Sequence, residues 1–144
     1  MKTMPLAAMT YFTVLTTLFT GAASAATAAL PSPAGEWRVA DGTATVRIEK
    51  CGPYFCGYVA TAANPGKDIR NPDPAKRNRS VIGMEIMFNL KPDGQNNFTG
   101  ETYNADDGQI YIATITPLGG ALKIRGCVPN GGICGSETWT FVHK

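Results

Sequence analysis

The chain has 144 residues, 44% of them hydrophobic and 17% charged, with four Cys, one His and a net charge near +2. That bounds it to one modest domain, and the charge is too balanced for the dense basic face that gripping a phosphate backbone requires, so nucleic acid is not an expected partner. Sixteen Gly and ten Pro, with no long charge-rich periodic segment, exclude a helical bundle or coiled coil and point to an all-β domain.

Residues 1–25 read as a secretory signal peptide. Lys2 supplies the positive start, Leu6 to Phe19 form an apolar stretch of 14 residues, and Ala23-Ser24-Ala25 is a small-x-small cleavage site. A spanning helix needs about 20 apolar residues, and the first Cys, Cys51, lies too far on to become a lipidated N-terminus. The expected product is exported to the periplasm or the exterior with no membrane span in its mature form. Without Lys2 its net charge falls to +1. Residues 26–34, with Pro31 and Pro33, read as an extended leader without a pattern to bury. Residues 35–144 read as a single β domain.

From Gly35 onward, short alternating segments are separated by turn chemistry, and eight strands are predicted. The first, Gly35 to Ala40, carries Trp37 and Val39 and ends at the hairpin signal Asp41-Gly42. Thr43 to Lys50 follows, with Val46 and Ile48 in phase, and then Cys56 to Thr61. A polar connection runs from Ala62 to Arg79. Val81 to Leu90 resumes the alternation with Met84, Ile86 and Phe88 facing in, and turns at Lys91-Pro92-Asp93-Gly94. Phe98 to Asn104 closes at Asp107-Gly108. Gln109 to Thr116 has Ile110 and Ile112 in phase, and Ala121 to Cys127 has Leu122 and Ile124. Ser136 to His143 has Trp139 and Phe141.

Period-two alternation gives each strand one buried and one wet face. Short connections make neighbours antiparallel. Eight such strands leave two unpaired edges unless the first meets the last, which favours an eight-stranded up-and-down barrel over the alternative, a β-sandwich.

All four Cys, at 51, 56, 127 and 134, fall in the predicted exported part, where an even count favours two disulfides. Of the three possible pairings, the local one is expected, Cys51 with Cys56 and Cys127 with Cys134, because each couple brackets a turn-rich segment. Zinc is disfavoured, since the one His, His143, stands next to the terminus.

The connection after the third strand is the least generic feature, with five positive and two negative residues between Ala62 and Arg79. A connection of this length is usually a lid, a binding loop or disordered. Two uses are open. Either the loop caps itself, with Asp68, Asn71 and Asp73 bonding backbone amides and Arg77 or Arg79 meeting a carboxylate, or Arg70, Arg77 and Arg79 bind an anion. Asp68 and Asp73 do not match a calcium-loop pattern. No cofactor is implied. One His and no nucleophile elbow leave no catalytic constellation, so an enzyme is not expected. Glu85 and Glu101 fall on the predicted solvent face. Asn78-Arg79-Ser80 and Asn97-Phe98-Thr99 match the glycosylation sequon, which matters only in a eukaryotic secretory pathway.

Several features together resemble the family of small exported bacterial proteins called domain of unknown function 2147. They are Gly35-Glu36-Trp37, Cys51 and Cys56-Gly57, Asp68, Asn71-Pro72-Asp73, Arg77 and Arg79 leading into Gly83. Later come Gly100, Tyr103, Gly108, Tyr111, Leu122, Arg125-Gly126-Cys127, Cys134 and Trp139. The resemblance implies a lipocalin-like barrel of the bacterial envelope with no established activity. Lipocalins often set an Arg of the last strand over the Trp of the Gly-x-Trp opening. Here Phe141 stands where similar sequences often have that Arg, so such a closure would fall to Arg125 or Arg38.

The expected function is binding of a small, largely apolar molecule at one mouth of the barrel. Trp37, Phe88 and Trp139 would line the pocket, Arg70, Arg77 and Arg79 would meet an anionic head, and the long loop would be rim or lid. The alternative is a protein-interaction module, such as an inhibitor of an envelope hydrolase, with a packed interior.

Overall fold

The structure is a computed structural model that describes residues 31–144; the predicted signal peptide lies outside the described residues. Eight strands follow in chain order: β1 (Gly35–Arg38), β2 (Ala44–Cys51), β3 (Tyr54–Ala62), β4 (Glu85–Pro92), β5 (Phe98–Asn104), β6 (Gln109–Pro117), β7 (Ala121–Cys127) and β8 (Cys134–His143). Each pairs antiparallel with the next. β1 then pairs with β8 through Glu36 opposite His143, Trp37 opposite Phe141 and Arg38 opposite Thr140, closing the barrel. Closure removes both sheet edges, which an open sandwich would have left to be covered. The long loop shares its end of the barrel with the β1–β2, β5–β6 and β7–β8 turns.

Ten buried residues form one cluster inside: Trp37, Val46, Ile48, Met87, Leu90, Phe98, Ile115, Leu122, Ile124 and Trp139. At roughly 1.5 to 3 kcal/mol for each large apolar side chain removed from water, this cluster supplies most of the drive to fold. The leader contributes as well, contrary to expectation. Pro33 is buried, and its carbonyl accepts a 2.9 Å bond from the Trp37 indole N–H, so the chain before β1 packs at the end of the barrel opposite the long loop.

Two strands depart from the predicted phase. In β6, Ala113 and Ile115 are buried while Ile110 and Ile112 are 45% and 41% exposed. The strand carries bulky residues on both faces, and its neighbours break the tie: Ile115 lies opposite Phe98 on one side and Ile124 on the other. In β4 the alternation is interrupted. Asn89 adopts φ 52°, and the register shifts against both neighbouring strands. As a result Met87 and Leu90 are buried, Ile86 packs against the cluster, and Phe88 faces outward opposite Glu101. A bulge has this effect because the extra residue puts consecutive side chains out of step. Phe141 is 41% exposed and packs edge-on against Trp37 at 5.2 Å. Arg38 and Arg125 do not supply the Trp closure, because their register places both on the outer face.

Both local disulfides are present. Cys127 and Cys134 oppose one another across β7 and β8. Cys51–Cys56 is diagonal, since Cys51 lies opposite Tyr54 and Cys56 opposite Glu49. Replacing Cys51 and Cys56 together by Ala is expected to cost about 2 kcal/mol, the chain-entropy value for so short a loop. A denaturant midpoint unchanged from the parent would contradict this.

Candidate functional site

The connection between β3 and β4 occupies residues 63–84, because β4 begins at Glu85 rather than Val81. Its one helical turn is a 3-10 turn at Pro74–Lys76, for which Asp73 is the N-cap. The Asp73 carboxylate accepts a 3.0 Å bond from the Ala75 N–H, and Asn71 Oδ1 accepts a 2.9 Å bond from the Asp73 N–H. Short Asn and Asp side chains compete well for nearby backbone donors, and here they curl the loop on itself.

The loop is fastened to the outer wall through Asp68, which has no exposed surface. Its carboxylate accepts bonds from Tyr103 Oη at 2.5 Å, Asn71 Nδ2 at 2.8 Å and Arg79 Nε at 2.9 Å, and it forms an ion pair with the Arg79 guanidinium at 2.8 Å. Tyr103 belongs to the outward-facing set of β5, opposite Ile110, yet it is buried because the loop covers it. Burial by itself would raise the Asp68 carboxyl. The hydrogen bonds from Tyr103, Asn71 and Arg79, with the charge of Arg79, outweigh burial and hold it below the usual carboxylate value. Burial pushes the Tyr103 hydroxyl above its usual value, and the Asp68 carboxylate pushes it further in the same direction.

Two grooves lie on this outer wall. The first, about 310 Å³, runs between the loop and the barrel and is lined by Asn71, Pro72, Asp73, Lys76, Arg79, Glu85, Phe88, Tyr103, Gly108 and Ile110. The second, about 500 Å³, is lined by Tyr54, Phe88, Asn89, Lys91, Thr99, Gly100, Glu101 and Ile112. Phe88 lines both, so the two form one trough across β4, β5 and β6.

The predicted site residues are dispersed. Trp37 and Trp139 are buried inside the barrel, 3% and 5% exposed, while Phe88 lines the outer trough, so these three do not share one pocket. The bulge at Asn89 is the reason. Arg77 donates to the Asn71 carbonyl at 2.7 Å, and Arg79 is tied to Asp68. The Arg70 carbonyl packs on Gly108, and its side chain is not in either groove lining. Only Phe88 and Arg79 of the six meet in one cavity. The self-capped use of the loop is realised with the expected contacts at Asn71 and Asp73, which accept from backbone amides, and at Arg79, which meets a carboxylate. Asp68 alone differs, since it bonds side chains rather than backbone amides. Glu85 and Glu101 do face outward, opposite Tyr58 and Phe88 respectively.

Sequence reasoning missed Tyr103, Ile110 and Lys76. One signal was present: Phe98 and Tyr103 are five residues apart in one strand, so they face opposite sides and one of them needs cover from outside the barrel.

A family described as "Uncharacterized protein conserved in bacteria (DUF2147)" matches residues 35–140. No curated protein matches the chain. Among solved structures it resembles HP1028 from Helicobacter pylori, described as belonging to the lipocalin family, with a TM-score of 0.70 and 21% sequence identity; the match covers 77% of this chain and 83% of that one. At that identity the likeness bears on the fold.

Proposed function

The chain belongs to the DUF2147 family of bacterial proteins, and from that membership, its lipocalin-like barrel and the trough on its wall, we propose that it is an exported, non-enzymatic binding protein. It takes a small amphipathic molecule on the outside of the barrel, in the trough centred on Phe88. One observation carries this reading: the ten-residue cluster occupies the interior, whereas Phe88 and Ile110 floor a groove on the outer wall. Apolar floors with a few convergent polar groups are what small-ligand sites usually offer. The polar end of the ligand lies under the loop, where Lys76 and Arg79 are matched by Asp73 and Glu85. Two cations against two carboxylates select a hydrogen-bonding end rather than a strictly anionic one. Two disulfides and the predicted signal peptide support export to the periplasm or exterior.

The test is titration of the purified barrel with a panel of fatty acids, acyl amines and an anilinonaphthalene dye. Phe88→Asp places a charge in the floor, and binding is expected to weaken by tenfold or more while the disulfide-bonded fold persists. Binding that survives this change, or a parent protein that takes up nothing on the panel, would overturn the reading. A second reading, a protein partner seated on the same trough as an inhibitor would be, draws support from the exposed Ile110 and Ile112. Pull-down from the native envelope, lost on Phe88→Asp, would favour it.

A further inference from the structure

We propose that the outer face formed by Thr114 and Thr116 of β6 together with β7 and β8 is a docking surface for an anionic polysaccharide chain, beside the Phe88 trough, whose lining takes the Ile110 and Ile112 part of β6. Register defines the face. Thr114, Arg125 and Ser136 form one cross-strand row, and Thr116, Lys123 and Thr138 form the next. Beyond β8, Arg38 of β1 lies opposite Thr140 and extends the cationic line around the barrel.

Three properties point to this occupant. First, Arg125, Lys123 and Arg38 take part in none of the ion pairs among the described residues, which use Arg47, Lys76, Arg79 and His143. Neither row contains a carboxylate; Glu137, between Ser136 and Thr138, is exposed but lies on the other side of the strand, with Trp139, whose indole N–H it accepts. In a chain whose net charge is only +2, these uncompensated cations are a local concentration of positive potential. Second, the remaining four positions in the rows are Thr or Ser; Thr114, Ser136 and Thr138 can each donate and accept, and Thr116, whose hydroxyl donates to Asn97 Oδ1, can still accept, which suits the dense hydroxyl pattern of a sugar chain. Third, the rows hold no aromatic ring on which a base would stack and no bulky apolar side chain to enter a lipid surface. The cations meet the carboxylates or sulfates of the polymer through charge-assisted bonds, and the hydroxyls follow its sugars.

Isothermal titration of the exported barrel with heparin and with polygalacturonate, at low and raised salt, tests the proposal. Binding to at least one polymer, weakening steeply with salt, is the expected result. Lys123→Gln with Arg125→Gln should weaken it by about tenfold or more, because two charge-assisted contacts are lost. Phe88→Asp, which disables the trough, should leave it unchanged, so the two sites fail independently. Both substituted cations are exposed, and circular dichroism verifies that the double variant is folded. The proposal is overturned if neither polymer binds, if the folded double variant binds as the parent does, or if charge-matched single-stranded DNA or anionic vesicles compete equally well.

Discussion

Asp68→Ala is expected to release the long loop from the barrel and to lower stability by about 3 kcal/mol, the scale for breaking one partner out of a buried, hydrogen-bonded charge network. The carboxylate has no exposed surface and serves Tyr103, Asn71 and Arg79 together. Without it the Tyr103 hydroxyl keeps only the weak 3.2 Å contact with Asn71. Arg79 can turn to water, since its side chain is 41% exposed, and that relief keeps the cost from rising further. Hydrogen exchange of the variant should show early loss of protection at the amides of residue 68 and Val81, which bond to the Arg79 and Gly66 carbonyls within the loop. Protection there equal to that of the parent would refute the latch.

The same contact predicts a pH response. The Asp68 carboxyl is held below its ordinary value of 3.8, so the folded state favours the carboxylate. Its stabilisation is complete above pH ~4 and is lost as pH falls from there through the folded value. Tyr103 has the opposite sense. Its hydroxyl is raised above 10.0, so the stability it gives is complete below pH ~10 and is lost as pH rises beyond it. Asp68→Ala should flatten the acid limb attributable to this residue. An acid limb identical to the parent's would mean that other carboxylates govern it.

Gly108→Ala is the second large effect, and it strikes the same docking from the barrel side. Gly108 sits in the β5–β6 turn with φ +73°, and a Cβ there would overlap the Arg70 carbonyl oxygen of the loop. Backbone oxygen cannot rotate away as a flexible side chain can, so the loop has to shift. Left-handed strain for a residue with a Cβ, about 1–2 kcal/mol, adds to the lost contact, and a total near 3 kcal/mol is expected. Both substitutions unfasten one element, so their effects should not add. A double-mutant cycle should give a combined loss well below the sum of the two. Full additivity would show that the loop is held at two independent places.

Much of the fold was legible in local chemistry. Asp41-Gly42, with the Asp41 carboxylate accepting from the Thr43 amide and hydroxyl, marks a turn by residue type alone. The Cys127–Cys134 pair could be read in the same way, because six intervening residues of turn-rich chain leave little freedom in how the bridge closes. The candidate site was legible only in fragments. Arg79 and Phe88 were singled out for the right residue types, but Phe88 was placed on the wrong side of the wall.

Composition, strand-length alternation and turn residues determined by themselves eight antiparallel strands and a basic loop after the third, and favoured local disulfides and a closed barrel over a sandwich. These are properties of short stretches of chain. The closure itself, Trp37 opposite Phe141, was settled by tertiary pairing. Only tertiary structure decided which face of β4 and β6 turns inward, since both faces carry bulky apolar residues and only the register of the adjoining strands discriminates between them. It also decided that the loop lies against the outer wall, because the bond from Tyr103 to Asp68 joins residues 35 positions apart, and a contact at that separation leaves no periodic or local mark in the sequence.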